Sequence, residues 1–301
     1  RGDDISRYRL FTPINFVDNS DLQGNEKRLE RLNQPKIMSQ NIVAHVLKPS
    51  PHIVIMSCYD DQNRLNLDTV NNTVLTSTGY DPHFVLALLN SRFVSWYTYK
   101  FIYNQAIRTM HFDAPYVNRI PVPALTFSDG YDEKPDISET LQRIYKDTLI
   151  KKLSRGHLDA IWRYLHESLQ SPELLHNSVV TLSTYMMELS NQKNKLLVEF
   201  AGNIQVNYAV EIRHQILEGF FTRPQKDSSL LLFEIMKRKG IKHSKDIYKQ
   251  VDTAFAELWE KVSSIFNEFS ITEQLIDYIV YYMYGLDEAS ISLVQSVFEA
   301  T

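Results

Sequence analysis

The first part of the chain alternates short apolar runs with turn-forming residues, a pattern typical of β-strands. Two runs rich in Ile and Val, Lys36–Leu47 and His52–Cys58, flank the proline-containing residues 48–51 and predict two strands around a turn. A polar stretch follows over Asp60–Asn72, and Thr73–Ser77 predicts a further short strand.

A helix is predicted from Pro82 through about Tyr99. Asp81 before Pro82 is a strong start signal, because Asp accepts free amide hydrogens and proline tolerates the first helical position. The apolar face of this helix has a three- and four-residue spacing and consists of Val85, Leu88, Leu89 and Phe93. After Phe101 the sequence is polar and irregular through His111, and the prolines of Ile120–Pro123 favour extended chain.

Loop-forming residues between 127 and 135 predict a domain boundary, and the pattern beyond them is helical. The predicted helices are Ser138–His166, Pro172–Glu188, Lys193–Glu218, Ser229–Lys239, Ser244–Phe269, Ile271–Tyr284 and Glu288–Phe298. Ser270 and Glu273 form a candidate capping box, and Gly285 is expected to end the preceding helix in the left-handed conformation. The predicted fold is therefore α+β: a mixed α/β domain over residues 1–130 and an all-α domain over residues 131–301.

The composition is that of an ordered globular protein, with 44% hydrophobic and 23% charged residues. No run of eighteen apolar residues predicts a membrane span, and the charged start lacks the apolar block of a signal peptide, so we expect a cytoplasmic protein without membrane contact. The opening residues 1–4 are typical of an internal segment of a longer polypeptide. The single cysteine, Cys58, excludes an intramolecular disulfide and a thiolate cluster, and its apolar surroundings predict burial.

The net charge of −4 argues against a generally basic nucleic-acid coat, but the charge is unevenly distributed. Residues 1–130 hold thirteen Lys or Arg against twelve Asp or Glu, whereas residues 131–301 hold nineteen against twenty-four. The window from Arg92 to Arg119 contains four cationic residues and a single acidic residue, Asp113. An anion is therefore expected at the first half of the chain, and chiefly in that window.

Sequence motifs for catalysis are absent. The nine glycines form neither a nucleotide-binding turn nor a phosphate loop, and no zinc motif or serine elbow occurs, so no catalytic residue, metal or cofactor is predicted in this chain. Asp113–Tyr116 resembles the Asp-Pro-Pro-Tyr loop of amino-methyltransferases, but its first proline is replaced, and we interpret Tyr116 as a packing or contact residue. The acid pairs at residues 3–4 and 60–61 are interpreted as solvated turn carboxylates.

The window from Arg92 to Arg119 mixes cations, aromatic rings, amides and an imidazole. Cations neutralise phosphates, amides and Arg forks bond base edges, and aromatic faces stack on bases, so the window is a candidate DNA contact. The other interpretation is that about half of these aromatic residues, Phe93 and Trp96 among them, belong to a helix core.

Several segments together resemble a known family. The order is a strand pair, the strand end Thr73–Thr76, the helix Phe84–Phe93 with its Leu-Leu-Asn-Ser run, and the Ile-Pro-Val-Pro exit in Tyr116–Pro123. This order resembles the TaqI-like C-terminal specificity domain of adenine-specific DNA methyltransferases and fused restriction–modification enzymes, and is similar to the recognition subunits of type I systems. Gly2–Tyr8 looks like the entry to this domain, and Leu275–Leu286 looks like the Tyr-Gly-Leu ending of such enzymes.

The resemblance implies a division of labour in a bacterial enzyme. An upstream catalytic domain of the same polypeptide would use S-adenosylmethionine to methylate adenine, with or without a nuclease, while residues 1–130 would form the target-recognition domain that binds double-stranded DNA. The loops Gln62–Asn66 and Tyr103–His111 would enter a groove. The implied DNA-binding residues are Arg64, Asn66, Lys100, Tyr103, Asn104, Gln105, Arg108, His111 and Arg119. Among them, the residues that would contact base edges are Arg64, Asn104, Gln105 and Arg108, and those that would contact phosphates are Lys100 and Arg119.

The helical half is open to several interpretations. It could clamp the far side of the duplex, space two recognition units or bind a partner protein, and its net charge of −5 favours protein contact. The rival function for the whole chain is a helical scaffold or adaptor that binds no nucleic acid, and a stand-alone nuclease is a third.

Overall fold

The computed structural model divides the chain into two compact units. Unit 1 comprises Arg1–Met187 and Ile271–Thr301, and unit 2 comprises Glu188–Ser270. The structure describes residues 2–11, 24, 26–66, 68–76, 79–106, 109–127, 142–143, 145–146, 155–167, 171–222, 224–241 and 244–298. The predicted α+β class is confirmed. None of the helices in the described ranges is long and apolar enough to cross a bilayer.

The strands of unit 1 form small antiparallel sheets. In chain order they are β1 (Ile5–Ser6), β2 (Arg9–Leu10), β3 (Lys36–Gln40), β4 (Ala44–Val46), β5 (His52–Val54), β6 (Ser57–Asp60) and β7 (Val70–Thr73). A three-stranded sheet has the order β6-β3-β7, while β1 pairs with β2 and β4 pairs with β5. Since Lys36 lies opposite Asp60 and Gln40 lies opposite Val70, the segment between β6 and β7 must cross from one end of β3 to the other.

The two faces of this sheet carry different contacts. One face forms a small core of Ile5, Met38, Cys58 and Val70. Burial, with a smaller effect of nearby Asp60, raises the pKa of the Cys58 thiol to about 12, which confirms its predicted burial. On the opposite face, the Tyr59 ring packs 4.7 Å from the ring of His83, which lies on the helix Pro82–Asn90.

The predicted strands are found, but with breaks and shifts. Lys36–Leu47 and His52–Cys58 are each interrupted, because backbone groups at the breaks bond elsewhere: the Asn41 amide donates to the Thr69 carbonyl and the Ile55 amide to the Ser95 hydroxyl. The strand predicted over Thr73–Ser77 is β7, which begins at Val70 and ends at Thr73, so that prediction was wrong in position.

The helix predicted over Pro82–Tyr99 is three elements. These are α2 (Pro82–Asn90), α3 (Arg92–Tyr97) and a π-helical turn (Thr98–Ile102). The predicted start is confirmed, since the Asp81 carboxylate accepts a hydrogen bond from the His83 amide at 2.6 Å. The break lies at Ser91, which is extended and whose hydroxyl caps α3 by accepting from the Val94 amide.

The remaining helices include two long ones. In chain order, the remaining helices are α1 (Glu26–Leu32), α4 (Ala114–Val117), α5 (Arg155–Glu167), α6 (Pro172–Tyr208), α7 (His214–Glu218), α8 (Gln225–Arg238), α9 (Lys245–Met283) and α10 (Glu288–Phe298). Short 3-10 turns lie at Gly2–Asp4 and Gly219–Thr222. The predicted break near residue 190 and the capping box at Ser270 were wrong, because both positions are helix interior. Gly285 has a φ of 65°, which confirms its predicted left-handed cap. The boundary predicted over residues 127–135 falls mostly outside the described residues and stays a prediction.

The last part of the chain completes the core of unit 1. Arg92 donates its amide hydrogen to the Asp277 carboxylate at 2.9 Å, and its guanidinium lies 3.5 Å from the same carboxyl. Arg7 forms an ion pair with Glu273, one turn earlier on α9, and also donates to the Asn90 carbonyl. The first hundred residues and the last part of α9 are therefore joined by partly buried charge pairs, as well as by ring packing between Phe93 and Tyr284.

Unit 2 has a core of its own. Its centre is formed by apolar residues of α6, α8 and α9, among them Leu197, Leu232 and Phe255, all fully buried. Phe221 stacks on Trp259 with ring centroids 4.7 Å apart.

Candidate nucleic-acid interface

A sharp turn at the end of α3 presents part of the predicted DNA-binding set. The Tyr103 amide donates to the Thr98 carbonyl at 2.8 Å, the five-residue bond of a π-helical turn. Asn104 and Gln105 then both adopt left-handed backbone, with φ of 50° and 58°. Asn tolerates this conformation and Gln does so at a cost, so the turn holds backbone strain of the kind often concentrated at functional sites.

The turn carries an exposed aromatic ring and has two cationic residues that bond to it. Phe101 is 58% exposed although its ring packs 5.5 Å from Trp96. Lys100 donates to the side-chain oxygen of Gln105 at 3.1 Å, and Arg119 donates to the Phe101 carbonyl at 3.4 Å. We call the set Lys100, Phe101, Asn104, Gln105 and Arg119 the cationic turn.

Tyr103 supports the turn from beneath. Its side chain is only 3% exposed, its hydroxyl donates to the His111 carbonyl at 2.9 Å, and burial raises its pKa above the ordinary value. The Tyr116 ring packs edge-on against it at 5.2 Å. Tyr103 is therefore buried, so a direct contact with DNA is not available to its side chain in this structure. Tyr116 is a packing residue, in line with one of the two roles predicted for it.

His111 lies beside the chain that leaves β3. The residues on either side of it bond to that chain, since the Phe112 amide donates to the Asn41 carbonyl at 2.6 Å and the Val43 amide donates to the Met110 carbonyl at 3.3 Å. The His111 side chain is exposed. Arg108 lies outside the described residues, and its predicted role stays a prediction.

Arg64 is anchored at the other end of β3. Its guanidinium contacts the fully buried Asp60 carboxylate at 2.8 Å, and its amide donates to the same carboxylate at 2.7 Å. Lys36, also fully buried, contacts that carboxylate at 2.8 Å, so the prediction that Asp60 is a solvated turn carboxylate was wrong. Burial by itself raises the pKa of Asp60, but hydrogen bonds from Lys36 and Arg64 outweigh it and hold the pKa below its ordinary value. Arg64 keeps 38% of its side chain exposed.

Asn66 fixes the course of the segment that crosses β3. Its side-chain amide and that of Asn72 exchange two hydrogen bonds, of 2.6 and 3.0 Å, and its nitrogen lies 3.3 Å from the Met38 sulfur. This arrangement holds the segment over the middle of the strand, so Asn66 has a structural role there.

The predicted residues thus form two groups rather than one. The cationic turn and His111 lie toward the end of β3 that continues to Ile42, whereas Arg64 lies at the Lys36 end. Lys36 and Ile42 are six residues apart, and six residues of extended chain span about 20 Å. This length equals roughly six base-pair steps of 3.4 Å each.

The charge of the predicted window is partly internal. Arg92 is engaged with buried Asp277 and is not part of the surface. Lys100 and Arg119 remain on the surface, with Asp113 as the exposed acidic residue of that window. In the parts of the chain that the structure describes, no three acidic, His or Cys side chains are grouped so that they could hold a metal ion.

Phe101 is the surface residue that the sequence analysis missed. Its signal was present, since Phe93, Tyr97 and Phe101 recur every four residues and extend the apolar stripe beyond the predicted helix end. The stripe passes from core to solvent along its length: Phe93 is 7% exposed and Phe101 is 58% exposed.

Neither a curated protein nor a solved structure matches the chain. A family model does, and the matched range contains all nine predicted DNA-binding residues. Residues 1–122 match the TaqI-like C-terminal specificity domain, which confirms the resemblance inferred from the sequence for that part of the chain.

Proposed function

We propose that residues 1–122 read the sequence of double-stranded DNA as the specificity part of a restriction–modification enzyme. The observation that carries the proposal is the family match over the same residues that form the cationic turn. An exposed surface with two cations, two amides and one aromatic ring supplies the groups needed for phosphate, base-edge and stacking contacts.

In the proposed complex, Lys100 and Arg119 hold phosphates and set the register of the protein on the duplex. Lys100 also fixes the Gln105 amide, because it donates to one lone pair of the amide oxygen. The second lone pair and the amide nitrogen are the groups with which Gln105 would make a two-bond contact with adenine. Asn104 offers the same chemistry from the neighbouring position.

Arg64 is proposed to contact a base edge about half a helical turn away from the cationic turn. Its guanidinium donates to Asp60 at 2.8 Å and to the side-chain oxygen of Gln62 at 2.6 Å, so its remaining donors are presented in a fixed direction. Arg favours guanine, and each two-bond contact discriminates by roughly 1–3 kcal/mol. Arg108 remains in this proposal on the strength of the sequence alone, and His111 is proposed to lie at the rim of the same groove.

The proposal extends to a catalytic partner. The family description names a C-terminal domain, which supports an upstream part of the same polypeptide that methylates adenine with S-adenosylmethionine, with or without a nuclease. In the present chain we assign no residue to that chemistry. Bacterial origin and cytoplasmic residence follow from the same proposal.

The test is selection from a pool of random duplexes with the full chain, followed by affinity measurements on the enriched site. Gln105→Ala should relax the preference at one position, and Arg119→Ala should weaken binding to all sequences alike, because phosphates carry no sequence information. Lys48→Ala, which removes an exposed lysine between β4 and β5, is the matched control and should change neither property.

Two outcomes would count against the proposal. If no sequence is enriched, the chain does not read DNA. If the wild-type chain does not bind duplex even at low salt, the scaffold function becomes the better explanation. Arg108→Ala with unchanged preference would remove that residue from the readout set.

A further inference from the structure

An open cleft of about 760 Å³ lies between α8 and the start of α9 in unit 2. Its apolar floor includes Phe233, whose ring packs edge-on against Tyr248 at 4.5 Å. Lys226 and Lys249 line it from the two helices, with Asp252 as an acidic residue of the lining. The cleft therefore combines a rigid apolar base with exposed ammonium groups.

The charge of this region differs from that of the whole chain. Unit 2 holds twelve Lys or Arg against eleven Asp or Glu, while the chain has a net charge of −4. Residues 225–249 alone hold seven Lys or Arg against three Asp or Glu. The negative charge of the predicted helical half therefore lies mainly outside this segment, and the charge argument for a protein partner does not apply to it.

The position of Lys226 is not explained by helix stability. Of the two lysines that line the cleft, Lys226 is the second residue of α8 and Lys249 is the fifth residue of α9. A positive charge in the first turn of a helix opposes the helix dipole, so Lys226 does not stabilise its own helix. Lys249 lies beyond the first turn, where the dipole has little effect.

A second basic group lies at the far end of α8. Lys237, Arg238 and Lys239 are exposed before Gly240, whose φ of 92° ends the helix. Cations there do stabilise the helix C-terminus, so these three residues are explained without a ligand. They nevertheless add to the positive charge of α8, one of the two helices that line the cleft.

We propose that the cleft between α8 and α9 binds the phosphate backbone of DNA without reading its sequence. Lysine is a flexible point charge suited to phosphate oxygens rather than to base edges. Exposed lysines on two packed helices can follow a row of phosphates, and the cleft offers no arginine fork for base recognition. This inference rests on the proposed function in that the chain must bind DNA.

The experiment measures the affinity of the full chain for a fluorescent 30-base-pair duplex over 50 to 200 mM salt. Each phosphate contact contributes about 0.9 to the slope of log affinity against log salt. The double variant Lys226→Gln with Lys249→Gln should make the slope shallower by about 1.8. The factor by which affinity drops between 50 and 200 mM salt should therefore be roughly ten times smaller than in the wild type.

The matched control is Lys195→Gln with Lys261→Gln, which removes two exposed lysines of unit 2 away from the cleft and should leave the slope nearly unchanged. Circular dichroism verifies that both double variants keep the helical content of the wild type. If the cleft variant has the wild-type slope while Lys100→Ala and Arg119→Ala reduce it, the cleft does not bind DNA although the proposed function holds. If the wild-type chain shows no salt-dependent binding, the proposed function itself fails.

Discussion

Removal of the Asp60 carboxylate should strongly destabilise unit 1. Asp60 and Lys36 have fully buried side chains, and their contact of 2.8 Å is supported by hydrogen bonds from Lys36 to the Leu32 and Gln34 carbonyls. In Asp60→Ala the ammonium keeps these two carbonyls but loses its counter-charge. Arg64 loses its anchor at the same time.

The expected loss is about 3–5 kcal/mol, the usual cost when one partner of a buried ion pair is removed. The half-exposed contact with Arg64 adds less than about 1 kcal/mol, since solvent screens it. Against a total stability of about 5–15 kcal/mol, the change is large but does not require complete unfolding.

The assay is urea unfolding monitored by circular dichroism, with the midpoint and slope compared among variants. Asp61→Ala, which removes the exposed neighbouring carboxylate, is the control, and its free energy of unfolding should stay within about 0.5 kcal/mol of that of the wild type. Lys36→Met with Asp60→Leu replaces both charges by apolar groups and should recover most of the loss.

Two results would refute this reasoning. The first is an Asp60→Ala protein whose free energy of unfolding lies within about 1 kcal/mol of that of the wild type. This result would mean that water reaches the Lys36 ammonium. The second is a double variant as unstable as the single one, which would mean that the charge pair is not the source of the effect. Because the folded pKa of Asp60 is lowered, its contribution should be present above about pH 4 and lost as pH falls below that value.

Three further predictions concern other elements. Burial, with a smaller effect of Glu273, raises the pKa of Asp277 to about 7 against the lowering influence of Arg92 and Arg7. The folded state therefore binds more protons than the unfolded one, and the free energy of unfolding should fall as the pH rises from about 4 toward 7; Asp277→Asn should remove this pH dependence in denaturant titrations. Ser91→Ala deletes the cap of α3 and should cost about 1 kcal/mol in thermal unfolding, whereas Ser290→Ala, on an exposed face of α10, should cost much less. Phe101→Ala should leave the melting temperature unchanged within about 1 °C, because a surface substitution costs little, but should lower DNA affinity; equal affinity would remove the ring from the interface.

The sequence patterns identified the helices better than their limits. Apolar spacing predicted helical structure over α2 and α3, but the break at Ser91 depends on distant partners: the Asn90 side chain exchanges two hydrogen bonds with the Ser57 backbone, and Arg92 meets Asp277. Such long-range contacts leave no periodic signal. In α6 and α9 the opposite error occurred, because polar residues that looked like breaks are accommodated inside continuous helices.

The candidate site was predictable in part. The exposed amides of Asn104 and Gln105 followed from a polar, irregular segment. The burial of Tyr103 did not, since its environment is made by the His111 carbonyl and Tyr116, which a local pattern does not bring together. The pairing of Arg64 with Asp60 was also missed, although the four-residue spacing of opposite charges was present in the sequence.

The joining of Arg7 and Arg92 to the carboxylates of Glu273 and Asp277 has a consequence for how the protein is made. A ribosome completes the first 122 residues roughly 7 to 30 s before residue 271 is added, at ordinary synthesis rates of about 5–20 residues per second. During that interval two guanidinium groups and the helix surface around them lack their final partners. Newly made chains therefore depend on the segment that carries Glu273 and Asp277 to complete unit 1, and a truncation that spares every matched residue but removes this segment would leave unit 1 incomplete.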